Sequence, residues 1–231
     1  MVLEAKNEVC LTFDTDWLCD AFLETTIEIL EEYDLSATFF ATNESSLLQS
    51  LDQDRYEIAL HPNFLDEKFE WRIDALSILK EIYPEATGTR SHCLTFSSRM
   101  LPDLKSLSIQ YESNIFLFGQ QYLLPVLRAK NFWSLPFFWS DDKYLELAYS
   151  FKKPEFFDLK EKGLKVYNFH PVHIFLNTDR VNRYENSRIT FNTKNMFNYV
   201  NKGLGVRTIF IDLCRQIKAL NLKTKRMKDF I

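Results

Sequence analysis

The chain has 231 residues, 46% hydrophobic and 26% charged, a balance that fits an ordinary globular domain and excludes a fibrous or wholly disordered chain. Its formal charge of −4, with both signs interspersed, offers no broad cationic face to nucleic acid or anionic lipid, so nucleic acid is not an expected partner. Aromatic residues reach 15% while Gly appears only 5 times, so aromatic bulk must fill a large core or line a groove.

Met1 to Glu8 carry Glu4, Lys6 and Glu8 where a secretory signal needs an apolar run, and no later run is long enough to span a bilayer. A cytoplasmic protein without stable membrane insertion is the expectation. Cys10, Cys19, Cys93 and Cys214 show no CxxC pair and read as buried free thiols.

Seven short runs rich in β-branched and aromatic residues follow one another along the chain: Val9–Phe13, Ala37–Ala41, Tyr56–Leu60, Ala86–Thr89, Ser108–Glu112, Phe132–Trp139 and Leu164–Phe169. Between them, apolar residues near helical spacing predict helices over Leu18–Tyr33 and Glu67–Ile82, and a last one over Thr208–Leu220. The alternation predicts α/β units around a parallel sheet, in a single domain of residues 1–231 with its core over about 9–220. Asn177 to Gly205, rich in Asn, Arg and Thr, reads as a long surface excursion, and the basic stretch Lys223, Lys225, Arg226, Lys228 as a solvated chain end that has some reach toward anionic lipid-linked glycan.

The polar residues fall just after these runs. Asp14 and Asp16 follow the first, His61 and Asn63 the third, Arg90 and His92 the fourth, Asp141 and Asp142 the sixth, His170 and His173 the seventh. Active sites of barrels and open α/β sheets are built on the carboxyl ends of the strands, and all 4 histidines lie there. If extended conformation persists past the first strand, Asp14 and Asp16 share a face, and two such carboxylates favour a cation between them. The alternative is that Asp14 caps the following helix. Pro62 biases His61 toward an extended conformation, from which its ring projects off the strand end beside the acidic pair, and carboxylate plus imidazole is an ordinary Zn²⁺ ligand set. Arg90 reads equally as a surface ion pair or as a donor that orients a carboxylate. Trp17, Trp139, Phe64 and Phe138 lie beside these motifs and are either sugar-stacking platforms or core.

LTFDTD, ATFFAT (Ala37–Thr42), IALHPN and NFHPVH together resemble the polysaccharide deacetylase family, the NodB-homology or carbohydrate esterase family 4 domains, and most closely its WbmS-like subgroup from O-antigen gene clusters. The resemblance runs from about Val9 to Leu220. It implies a distorted (β/α)7 barrel that holds one divalent metal, most expected as Zn²⁺, and removes an acetyl group from an amino sugar or glycan intermediate of surface-polysaccharide synthesis. By that resemblance Asp14 is the general base, Asp16 and His61 are metal ligands and His170 is the general acid. The family's second motif has another histidine four residues after the first; here that position is Leu65, and His92 takes the vacancy as third ligand. Arg90 matches the family arginine, whose aspartate partner is Asp141 or Asp142. His173, Asn63, Asp142, Trp17 and Trp139 are the expected substrate contacts. The substrate implied is an acetylated sugar, glycan or nucleotide sugar. The missing motif histidine leaves an alternative, a relative that binds such a sugar without hydrolysing it. Hydrolysis of another acyl group or a phosphoester ranks behind both, because neither a phosphate loop nor a second metal's ligands stand out.

Overall fold

The computed structural model describes residues 6–16, 20–67, 72–147, 159–191 and 193–231. Nine strands form one sheet: β1 Asn7–Asp14, β2 Ala37–Ala41, β3 Tyr56–Leu60, β4 Gly88–Thr89, β5 Tyr111–Glu112, β6 Val126–Ala129, β7 Phe132–Ser134, β8 Trp139–Ser140 and β9 Gly163–Phe169. Their order is β6-β7-β5-β4-β3-β2-β1-β9-β8, and every neighbouring pair is parallel except β6 with β7. Eight helices accompany it among the described residues: α1 Asp20–Glu32, α2 Ser46–Ser50, α3 Arg72–Ile82, α4 Leu101–Ser106, α5 Asp141–Leu147, α6 Pro171–Leu176, α7 Val181–Ser187 and α8 Val206–Ala219.

Two of the seven predicted strands, β2 and β3, have the predicted bounds, and β4 and β5 are shorter. The run Phe132–Trp139 is not one strand but two. Pro136 interrupts it, since proline cannot donate to a ladder. The consequence sets the shape of the molecule: β7 pairs with β5 near one end of the sheet, and β8 pairs with β9 at the other. Ser134 and Trp139 are five residues apart, at most ~18 Å of extended chain, so the sheet curls until its ends almost meet. Leu135 N–H donates to Glu112 O and Phe138 N–H to Val166 O, which stitches this segment to both sides. The result is the distorted, barrel-like α/β fold, with β6 as an antiparallel flap outside the ring.

β1 shows how the ring divides its side chains. Residues two apart share a face of a strand. Leu11 and Phe13 point outward to the helices, where Phe13 meets Phe39 (ring centroids 5.1 Å) and Phe210 of α8 (5.6 Å). Cys10, Thr12 and Asp14 alternate with them and face inward. On β9, in register, Val166 and Asn168 face inward and Phe169 outward. The outward set accounts for much of the aromatic bulk. Trp139 belongs to it: 0% exposed, with its ring 4.8 Å from that of Phe169, it is core and not a sugar platform, and Phe64 and Phe138 are also buried. Cys10 and Cys214 are buried as expected, but Cys93 is exposed. Asn177 to Gly205 is more structured than a plain excursion, holding α7 and 3-10 turns at Arg188–Thr190 and Lys194–Tyr199.

The amino ends of the strands are closed by the chain's last residues. Lys225 N–H donates to Val9 O, Met227 is fully buried, and the basic side chains there are partly neutralised: Lys225 pairs with Glu8 at 3.0 Å and Arg226 with Asp229 at 2.8 Å. Inside this end, Tyr111 Oη donates to Glu57 Oε1 at 2.9 Å, and burial pushes the Glu57 carboxyl up. The Tyr111 ring reaches Glu57 across the space a side chain at Gly88 would fill; a Cβ there would sit 1.9 Å from the ring. Gly88→Ala is therefore expected to lower stability by ~1–3 kcal/mol as an overpacking change, read as a fall in denaturant midpoint. A midpoint equal to wild type would refute it. No helix among the described residues is long and apolar enough to cross a membrane.

Candidate functional site

The carboxyl ends of the strands open into a cleft of about 380 Å³ lined by Asp14, Asp16, His61, His92, Asp142, His170 and His173, with Asn168 at its floor. Both aspartates look into it, though not by continued extension. β1 stops at Asp14, and Asp16 has φ +36°, a left-handed turn that Asp tolerates better than most residues. Thr15 fixes the turn, its N–H and hydroxyl both donating to Phe40 O. His61 follows β3, its N–H donating to Ala41 O. His92 opens a 3-10 turn after β4, its N–H donating to Pro62 O.

Two imidazole nitrogens converge on one oxygen. His61 Nε2 lies 3.4 Å and His92 Nδ1 3.2 Å from Asp16 Oδ1, and ligand atoms of all three residues lie within 4.8 Å of one another. In a tetrahedral Zn²⁺ site with bonds of 2.0–2.2 Å, neighbouring donors stand ~3.4 Å apart. His61 is 3% exposed, with Nε2 on the side of Asp16 and Nδ1 3.8 Å from Asp14 Oδ1. Burial works to raise the Asp16 carboxyl, but His170, His61 and His92 outweigh it and hold the group well below the usual carboxylate range. Spacing, donor types and an anionic Asp16 all fit a divalent cation.

Asp14 is fixed from behind. Arg90, 0% exposed, donates to Asp14 Oδ1 at 3.0 Å, and Asn168 Nδ2 donates to Oδ2 at 2.9 Å. The carboxylate is thus not a helix cap, and Arg90 is not a surface ion pair. The expected pairing of Arg90 with Asp141 or Asp142 is also corrected. Asp141 instead faces His170: Oδ1 lies 2.6 Å from His170 Nδ1, and Oδ2 accepts the His170 backbone N–H at 2.8 Å. With the Asp142 N–H also donating to Oδ1, Asp141 is occupied as an acceptor. Asp141, Asp142 and His170 lie close enough for a second cation, but these hydrogen bonds account for their geometry without one.

His170 Nε2 points into the cleft, 3.1 Å from Asp16 Oδ2. Burial works to lower the imidazole, yet Asp141 and then Asp16 hold it well above its ordinary range. Asp142 also lines the cleft; burial works to raise its carboxyl, but His170, Ser140 and Lys143 bring it down. Burial lowers His173, whose Nδ1 meets Thr178 Oγ1 at 3.2 Å. Asn63 is not a cleft residue: its side chain accepts the Leu65 N–H in the loop after β3. Trp17 lies outside the described residues.

The family model described as "WbmS-like: Polysaccharide deacetylase" matches residues 11–188. The chain belongs to the WbmS-like polysaccharide deacetylase family. It is similar to WbmS of Bordetella bronchiseptica, described as a polysaccharide deacetylase involved in O-antigen biosynthesis: 28% identity over 92% of this chain and 91% of that one, TM-score 0.84. A polysaccharide deacetylase of Mycobacterium smegmatis (14% identity, 99% and 90% coverage, TM-score 0.59) and a carbohydrate esterase family 4 pseudoenzyme of Bacillus anthracis (13%, 97% and 65%, TM-score 0.51) share the fold. No curated protein matches the chain.

In this chain Leu65, at the second-histidine position, is 56% exposed and its side chain is not in the cleft lining. The cleft also holds Asn168, Lys143 and Tyr184. Asn168 is an inward-facing position two before His170, so period-two alternation was the signal for it. Lys143 and Tyr184, on α5 and α7, line the mouth and carried no such signal, because their helices were not predicted.

Proposed function

We propose that this chain is a metal-dependent deacetylase that hydrolyses the acetyl group of an amino sugar or glycan intermediate of surface-polysaccharide synthesis. The carrying observation is the convergence of Asp16, His61 and His92, with Asp14 on one side and His170 on the other. A divalent ion held by those three side chains, most consistently Zn²⁺, supplies a polarised acyl oxygen and a water whose pKa is brought from 15.7 toward ~7. Asp14 accepts the proton of the attacking water, and Arg90 and Asn168 keep both of its oxygens from rotating away. The water's oxygen bonds to the acyl carbon, the C–N bond breaks, and the amine leaves with a proton from His170 Nε2. Asp141, bound to Nδ1, keeps that ring oriented. Acetate and a free amino sugar result. His173, held neutral by burial, and Asp142 supply polar contacts to the sugar.

The test is acetate release from N-acetylated sugars together with metal analysis of the purified chain. One divalent ion per chain is expected, with His92→Ala losing most of both metal and activity while its unfolding transition stays cooperative. A His92→Ala protein that keeps full metal removes His92 from the ligand set. A wild type that binds acetylated sugar but neither loads metal nor releases acetate would identify a binding relative instead.

A further inference from the structure

Overall net charge conceals a local segregation. Residues 177–205 contain five basic residues against two acidic ones, a surplus of three in a chain of net −4, which leaves −7 on the remainder. Arg183 is paired with Asp179, which exposed Arg180 also reaches at 4.0 Å, and Arg188, Lys194 and Lys202 are exposed. The same segment exposes apolar side chains that a solvated loop would hide: Ile189 at 91%, Phe197 at 58%, and Leu204. α7 and the two 3-10 turns pack on one another, so Arg188 and Lys194 share one lobe with Ile189 and Phe197, and Lys202 and Leu204 follow it in the chain. That lobe touches the cleft through one residue. Tyr184 of α7 lines it, with its ring 5.1 Å from that of His173, and the Arg188 guanidinium lies 5.8 Å from the Tyr184 ring centroid.

We infer that the described residues of 180–191 and 193–204 form a docking surface for an anionic membrane, on which the cleft mouth is held against lipid-linked glycan. Exposed apolar tips ringed by basic side chains are the combination that seats a protein in the headgroup region: the apolar groups enter the boundary and the cations meet anionic lipid. The basic chain end is a poorer candidate, since Lys225 and Arg226 are paired and the segment packs at the opposite end of the barrel. Only the identity of the substrate rests on the deacetylase reading. Docking itself does not.

Sedimentation of the full chain with vesicles tests this. Binding is expected to vesicles containing about 30 mol% phosphatidylglycerol and not to phosphatidylcholine alone, and to weaken with added salt as the surface potential is screened. The triple variant Arg188→Glu, Lys194→Glu, Lys202→Glu is expected to bind at least ~100-fold more weakly, at about a factor of five for each basic residue lost. Ile189→Ser with Phe197→Ser should also weaken it. All these variants should keep wild-type acetate release from a soluble acetylated sugar, which shows that they fold. Failure to bind anionic vesicles at low salt, or wild-type binding by the triple variant, overturns the proposal. So does finding that the triple variant only dissolves a dimer in light scattering. Loss of soluble-substrate activity in the wild type would instead refute the deacetylase reading and leave docking standing.

Discussion

Asp14→Asn is expected to lower the rate of acetate release by about 10²–10⁴-fold, the usual range for a general base, while leaving the metal content of the purified protein unchanged. The separation follows from geometry. Asp16, His61 and His92 converge without needing Asp14, whose Oδ1 is 3.8 Å from His61 Nδ1. The substituted amide has one acceptor where Arg90 and Asn168 present two donors, so its –NH₂ must face one of them. A loss of ~1–3 kcal/mol in stability is therefore expected as well, from one unsatisfied buried donor. Rates should be compared at a temperature where both proteins are folded. Undiminished activity would exclude Asp14 as the base, and loss of metal with the substitution would make it a ligand.

The inner strands were legible because both of their faces are buried, which leaves long apolar runs such as ATFFA and YEIAL. The sites at their carboxyl ends were legible for the same reason, since a polar residue that interrupts such a run is conspicuous. What the sequence hid depends on tertiary closure. Phe132–Trp139 reads as one strand until Pro136 divides it between opposite ends of the sheet, and only the closed ring brings Ser140 and Asp141 beside β9. The partner of Arg90 was hidden likewise. Arg90 follows β4 and Asp14 ends β1, with β3 and β2 between them, and the contact is made across the interior of the ring, where no sequence spacing reports it. Trp139 was ambiguous because strand-end aromatics serve core and cleft alike; alternation along β8 turns it outward, away from Asp14.

Arg90→Met is expected to cost ~3–5 kcal/mol of stability, the usual effect of removing one partner from a buried ion pair, and to abolish activity. The guanidinium is sandwiched between the Phe40 and Phe137 rings, 4.2 and 4.5 Å from their centroids, and donates to Thr12, Asp14, Asn168 and Ser113. Methionine would fill much of that slot but leave the Asp14 carboxylate buried without its cation. The double variant Arg90→Met, Asp14→Asn should recover part of the loss, because the orphaned charge is gone; contacting residues couple by ~0.5–3 kcal/mol. It should remain inactive. Arg90→Lys retains charge but replaces the planar fork with a point donor, so Asn168 and Ser113 lose partners. Its activity should fall by more than its stability if Arg90 positions the base. Chemical denaturation and acetate release on wild type, Arg90→Met, Asp14→Asn, the double variant and Arg90→Lys decide this: strictly additive stability losses would show that Asp14 and Arg90 are not coupled, and an Arg90→Lys enzyme with wild-type kcat would show that the orientation of Asp14 does not depend on the fork.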